Sequence, residues 1–196
     1  MPISRRSLMF IAPLSLLAAC TDSTPATAAG LAAAVASNDA RPTLTEIKTK
    51  AKYFEVGSMM AATQINVFFD PQCPHCGSLW NEIKPLLPKA RFRWIPVALM
   101  NKKSMGQGAA ILLDADPVKA MEAHELLLLA KKGGLDTGTP TPAIAAAITV
   151  NSELLSRLGV QSIPYMIGAN ARTGVEVVIP GGMAAQGIAA KFGISL

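Results

Sequence analysis

Three cysteines in 196 residues are too few to staple a scaffold, so apolar burial must hold the fold together. Two histidines and a single CxxC leave little from which to assemble a zinc site. Aromatic residues make up only 5%, and the 18 basic residues are scattered apart from pairs such as Arg5-Arg6, Lys102-Lys103 and Lys131-Lys132. A nucleic-acid binder carries a basic stripe interleaved with aromatics, so the net charge of +5 is not read as a nucleic-acid partner. No apolar run reaches the roughly 20 residues needed to span a bilayer. No internal repeat is visible. Against these absences, 51% hydrophobic and 16% charged residues exclude disorder of the whole chain. The length is that of about one domain with an N-terminal excess.

That excess reads as an address. Arg5 and Arg6 form a positive start, Leu8 to Ala19 is an apolar run of 12 residues, and Pro13 in its middle argues against a buried helix. Leu17-Ala18-Ala19-Cys20 resembles a bacterial lipobox, in which cleavage precedes the cysteine and its thiol takes a diacylglyceryl group. Ser4-Arg5-Arg6-Ser7-Leu8 is similar to a twin-arginine signal, with Leu8 where that pattern favours Phe; Sec export fits equally. The expectation is a lipoprotein-type signal peptide over 1–19, lipidation at Cys20, and a periplasmic chain held to a membrane. Lipid on Cys20 also leaves Cys73 and Cys76 as a matched pair. Loss of Arg5 and Arg6 leaves 16 basic against 13 acidic residues. Residues 20–42, rich in Ala, Ser and Thr with Pro25 and Gly30, read as a flexible tether, and 43–196 as the domain.

Ile65-Asn66-Val67-Phe68-Phe69, closed by Asp70-Pro71, predicts a strand, and a short strand near 53–56 precedes it. Leu79, Trp80, Ile83, Leu86 and Leu87 recur at helical spacing after Cys73, with Pro85 expected to kink that helix and Pro88 to end it. Residues 91–98 predict another strand. Helical stretches follow over 104–113, 117–132 and 141–158, with Gly133-Gly134 as a break. Residues 165–167 and 175–179 predict a hairpin around Asn170 to Gly174, and 184–192 a closing helix. The order is β-α-β, a helical insertion, then β-β-α: an α/β fold with one central mixed sheet.

Cys73-Pro74-His75-Cys76 lies between the strand and the helix that follows it. A helix N-terminus offers free N–H groups and the positive end of its dipole, which stabilise a thiolate on the first cysteine. Two intervening residues bring the sulfurs within reach of a disulfide across the first turn. Pro74 suits the early helix, where a missing N–H costs nothing, and a protonated His75 would lower the thiol pKa further. Cys73 is therefore the candidate nucleophile and Cys76, deeper in the helix, the resolving thiol. Half a zinc site and a structural disulfide are the bland alternatives; the lone CxxC argues against the first and the strand–helix placement against the second. Asp70 reads first as a turn residue and second as an influence on the thiol proton. His124 reads as a helix-surface residue. Met59, Met60, Met100 and Met105 would suit Cu(I) as thioethers but read first as core filler. Gly106-Gln107-Gly108 is no phosphate loop.

Phe68-Phe69-Asp70-Pro71-Gln72-Cys73-Pro74-His75-Cys76 with Leu79-Trp80 resembles the active-site segment of the periplasmic DsbC/DsbG thiol:disulfide interchange proteins, nearest to the DsbG type. The resemblance runs from about Val67 to the C-terminus and implies a thioredoxin fold. It also implies that Pro164, in Gly159-Val160-Gln161-Ser162-Ile163-Pro164, is the cis-proline facing the CxxC, beside which a substrate strand pairs. Two departures stand out. The 43 residues between Cys20 and Gln64 leave no room for that family's dimerisation domain, so a monomer is expected. Ile163 replaces the usual threonine, and both Ile163 and the Pro-His dipeptide look more like the DsbA oxidases. The expected activity is thiol:disulfide exchange on protein disulfides, of reductase or isomerase type, with a DsbA-like oxidase as alternative and a copper-binding chaperone as the rival outside enzymes. No metal or organic cofactor is expected; the expected partners are substrate proteins and a membrane redox protein.

Overall fold

The structure is a computed structural model that describes residues 40–160 and 162–196; the expected signal peptide, Cys20 and the tether up to residue 39 lie outside the described residues. Along the chain run α1 (Leu44–Lys50), β1 (Phe54–Gly57), β2 (Thr63–Phe69), α2 (Pro74–Glu82), a 3-10 turn (Lys84–Leu86), β3 (Ala90–Pro96), α3 (Lys102–Leu113), α4 (Pro117–Leu129), α5 (Pro142–Arg157), β4 (Tyr165–Ala169), β5 (Glu176–Pro180) and α6 (Ala185–Phe192). The strands form one sheet in the order β1-β3-β2-β4-β5. Among the described residues only the β2–β3 pairing is parallel; β1–β3, β2–β4 and β4–β5 are antiparallel. This is the expected α/β architecture, with α3 to α5 as the insertion between the β-α-β and β-β-α halves.

The apolar run of β2 reflects its position at the centre of the sheet, where both faces are covered. Ile65, Val67 and Phe69 point to the layer that holds Leu79 and Trp80 of α2 and Ile188 and Phe192 of α6. Phe68 points the other way, against Ile47 of α1 and Leu154 and Leu155 of α5. Trp94 on β3 anchors the first layer edge-on, with ring centroids 5.2 Å from Phe69 and 5.1 Å from Trp80. Full burial of such rings stabilises by about 2–3 kcal/mol each, so this aromatic cluster under α2 is a large part of what holds that helix to the sheet.

Two local expectations are corrected. α1 is a helix where none was expected, although Thr43-Leu44-Thr45-Glu46 carries an N-terminal capping pattern: the Glu46 N–H donates to Thr43 Oγ1 at 3.1 Å. The helix after Cys73 is not kinked through Pro85 but stops at Glu82, and Pro85 sits inside the separate 3-10 turn, where its missing N–H breaks no α-helical ladder. The Gly133-Gly134 break is real: both residues have positive φ, 83° and 79°. No helix among the described residues is long and apolar enough to cross a membrane.

Candidate active site

β2 runs into Asp70, and Asp70 organises everything that follows. Its carboxylate is fully buried and accepts four hydrogen bonds, from Gln72 N (2.8 Å), Leu99 N (2.7 Å), Met100 N (2.9 Å) and Ser104 Oγ (2.7 Å). It is thus the turn residue expected, and it also ties the loop after β2 to the loop after β3 and to α3. The Cys73 N–H donates to Asp70 O at 2.9 Å, which starts the turn into α2. Cys73 is the N-cap of that helix in an extended conformation, and Pro74 occupies its first turn. The N–H groups of Cys76 and Gly77 return to Cys73 O at 2.9 and 3.3 Å.

Both thiols are free; Cys73 keeps 4% of its surface exposed and Cys76 none, so an incoming group meets Cys73. The Cys73 pKa is pulled down to about 6. The largest cause is the hydrogen bond from the Cys76 thiol, with the backbone N–H groups of Cys76 and His75 next and the charge of His75 last, while burial opposes all three. The helix start thus outranks the His75 charge, and the Cys76 thiol, which the expectation left out, outranks both. His75 is exposed, so solvent weakens its influence on the sulfur. Cys76 moves the opposite way: burial, then the Cys73 sulfur, push its pKa well above that of an ordinary thiol.

The loop before β4 closes the site from the other side. Ile163 O lies 3.8 Å from Cys73 Sγ, the Ile163–Pro164 peptide is cis, and the Gly181 N–H donates to Pro164 O at 2.8 Å. Cys73, Cys76, Ile163 and Pro164 therefore converge, with Pro74 and His75 on the exposed first turn of α2. Beside that turn is an open groove of about 330 Å³, lined on one side by His75, Ser78 and Glu82 and on the other by Met183 and its neighbours.

Two expectations fail here. His124 is not on the surface but fully buried: its Nε2 lies 2.6 Å from Pro71 O, and the Leu135 N–H donates to its Nδ1 at 3.2 Å. Met59, Met60 and Met100 are not core filler but exposed, because the first two occupy the turn between β1 and β2 and the third sits where its backbone is held by Asp70. Among the described residues no group of three or more His, Cys, Asp or Glu side chains is arranged to hold a metal ion. Glu125 was missed altogether. It is 1% exposed, while Leu126 on the same helix is 71% exposed, and neither carboxylate oxygen has a hydrogen-bond partner among the described residues. The α4 sequence is apolar nearly all round, so periodicity marks no inner face and gives no sign that a His-Glu pair turns inward.

No family model matches the chain. It is 31% identical over 121 residues to the thiol:disulfide interchange protein DsbG of Pseudomonas aeruginosa, covering 59% of this chain and 45% of that one. The chain thus spans less than half the length of this relative. Among solved structures, the catalytic domain of Proteus mirabilis ScsC superposes with a TM-score of 0.59 at 21% identity, covering 75% of this chain and 90% of that one. A periplasmic thioredoxin-like protein from Salmonella enterica serovar Typhimurium superposes with a TM-score of 0.55 at 17% identity, covering 72% of this chain and 88% of that one. The fold is thioredoxin-like.

Proposed function

We propose that this chain is an exported thiol:disulfide oxidoreductase of the reductase or isomerase type, acting on protein disulfides through Cys73 and Cys76. The observation that carries the reading is the asymmetry of the pair: one thiol at a helix N-cap with its pKa drawn to about 6, the other buried with its pKa driven up. In the proposed cycle the Cys73 thiolate attacks a substrate disulfide, a mixed disulfide forms on Cys73, and Cys76 displaces the substrate thiol to leave Cys73–Cys76 oxidised. Ile163 and Pro164 hold the substrate backbone beside Cys73, and Pro74 and His75 tune the pair. The likeness to a thiol:disulfide interchange protein supports the same reading.

The proposal extends to the cell. The chain acts as a monomer in the periplasm, held by lipid on Cys20, and a membrane redox partner restores its dithiol. Intact mass of the membrane fraction tests the lipid, and light scattering of the protein the monomer.

The central experiment is trapping. Cys76→Ser should accumulate thiol-sensitive adducts of substrate proteins on non-reducing gels, and Cys73→Ser should accumulate none. Adducts on Cys73→Ser alone would reverse the two roles. One observation favours a second reading, a DsbA-like oxidase: stabilising the Cys73 thiolate favours the dithiol and makes the disulfide more oxidising. Equilibration against glutathione decides between the directions.

A further inference from the structure

Two basic pairs stand out in the sequence, Lys102-Lys103 and Lys131-Lys132, and the thiol chemistry uses neither. The fold brings them together beside the active site. Gln72, the residue before Cys73, is the tie. Its side-chain oxygen accepts from Asn101 Nδ2 at 3.1 Å, and its side-chain nitrogen donates to Gly133 O at 3.0 Å. Asn101 is the N-cap of α3, so Lys102 and Lys103 follow it in the first turn. Gly133 comes directly after Lys131 and Lys132, in the loop after α4. Gln107 of α3 closes the same seam, donating to Gly133 O at 2.8 Å and to Leu135 O at 2.9 Å. A Cβ on Gly133 would lie 3.6 Å from Lys103 Nζ, so the two pairs share one rim.

All four lysines are exposed. Among the described residues none of them is in an ion pair, whereas Lys50, Lys84 and Lys119 each hold a carboxylate. Asp136 is the one acid in the two segments 99–106 and 129–139. The Asp70 carboxylate nearby is buried and occupied by its four donors. No acid stands in the first turn of α3, so the positive end of that helix adds to the lysines. Lys131 is placed against backbone preference. It is the one non-glycine residue among those described with a positive φ, 60°, in the left-handed position that ends α4, where glycine is the ordinary occupant. Gathering like charges on one rim also works against folding. What the rim attracts would explain why both costs are borne.

Its position says what that is. β3 lies on one side of β2 and β4 on the other. Cys73, after β2, therefore has Ile163 on the β4 side and, on the β3 side, the loop of Leu99 and Met100 with the lysines beyond it. Leu99 and Met100 are about half exposed. Lys102 and Lys103 border an open cleft of about 470 Å³ whose other wall is residues 137–140. A chain whose cysteine reaches Cys73 comes up beside this rim. A lipid surface laid on the same face would cover Cys73, so a protein partner is favoured over a membrane.

We propose that Lys102, Lys103, Lys131 and Lys132 form a recognition rim that selects protein segments carrying acidic residues beside the cysteine that reacts with Cys73. The proposal rests on the thiol:disulfide reading above and names the class of client for the same site. The rim acts on encounter more than on bond exchange: exposed charges steer an oppositely charged segment toward Cys73, and salt screens them. Neutral segments react without that gain, and basic ones are repelled.

The test uses the full chain in its dithiol form and three disulfide-linked peptide dimers of equal length, with Glu, Gln or Lys on both sides of each cysteine. Each second-order rate of peptide reduction is divided by the rate of the same peptide with dithiothreitol, which removes the peptide's intrinsic reactivity. The wild type should favour the Glu peptide over the Gln peptide by about tenfold at about 0.02 M salt and by less than about twofold at about 0.5 M. Lys102→Gln, Lys103→Gln, Lys131→Gln and Lys132→Gln combined should bring that ratio to about one, and the same four lysines changed to Glu should invert it in favour of the Lys peptide. Lys131→Gly suits the left-handed position, so it should fold at least as well as the wild type and still lower the ratio. A wild-type ratio of one, a ratio that salt leaves unchanged, or a ratio that the combined variant keeps overturns the proposal. Binding of the wild type to phosphatidylglycerol vesicles that the combined variant loses, with no peptide preference in either, overturns it in favour of a membrane contact. Failure of the wild type to reduce any of the three peptides overturns the thiol:disulfide reading itself.

Discussion

At the scale of single residues, Cys73 is governed more by its partner thiol than by the histidine between them. The Cys76 S–H donor is the largest cause of its lowered pKa and the His75 charge the smallest of those named. Thiolate ultraviolet absorbance against pH should therefore show a midpoint near 6 in the wild type. Cys76→Ala should raise that midpoint by more than His75→Gln does; the opposite ranking would return the control to His75. Asp70 is the other decisive residue. Four donors converge on one buried carboxylate, and truncating it strands backbone N–H groups from two loops. Asp70→Ala should destabilise the protein by about 3 kcal/mol in urea, from charge-assisted bonds lost and donors left buried. A loss below about 1 kcal/mol would mean that the loops hold their shape without it.

At the scale of elements, α4 is the instructive case. Its sequence, ProValLysAlaMetGluAlaHisGluLeuLeuLeuLeu, places apolar residues on every side, and from it His124 reads as a surface residue. The structure instead buries His124 and Glu125 and exposes Leu126, because the face turned inward is chosen by what α2, α3 and the active-site loop present to it. His124 latches the insertion to Pro71, and Gly134, with φ +79°, leaves room for the ring where a Cβ would overlap it. Burial lowers the His124 pKa below its ordinary 6.5. The unfolded chain then binds the proton more tightly than the folded one, so stability is retained above pH 6.5 and lost as pH falls below it. The required tautomer donates from Nε2 and accepts at Nδ1, and protonation would set two N–H groups face to face at Leu135. Denaturation midpoints between pH 7 and 5 should fall in the wild type, and that part of the slope should vanish in His124→Gln whatever its absolute stability. An identical slope in both proteins would remove His124 as its source.

At the scale of the whole molecule, the sheet order decides where chemistry can occur. β2 is central, with β3 parallel on one side and β4 antiparallel on the other, so the end of β2 and the start of β4 meet at the same edge. That meeting sets Cys73 against Ile163, 90 residues away. The folded chain stabilises the Cys73 thiolate, and the disulfide form has no thiolate to stabilise. The folded-state pKa of about 6 lies below the ordinary thiol value of 9.0, so this contribution is fully present above pH 9 and is lost as pH falls through 6. The stability of the dithiol form relative to the disulfide form, measured by urea denaturation of each, should therefore rise between pH 6 and 9. A flat difference across that range would show that the fold does not favour the thiolate.

The α/β class, the mixed sheet, the helical insertion and the CxxC at a strand–helix junction are all legible in the sequence by itself. They are encoded locally, by the β-branched and aromatic run in 65–69, helical spacing after Cys73 and a proline in the first turn. The N-terminal capping pattern at Thr43 is equally local, so α1 is legible in the sequence as well. What only the tertiary structure decided is contact between distant positions: Asp70 with Ser104, Pro71 with His124, Gly77 with Glu125, Cys73 with Ile163. Periodicity reports that a segment has an inner face only when its apolar residues are confined to one side. In α4 they are not, so the placement of a buried histidine and a buried acid there depends on which neighbours pack against the helix, a choice made by the assembled sheet and not by any short stretch of chain.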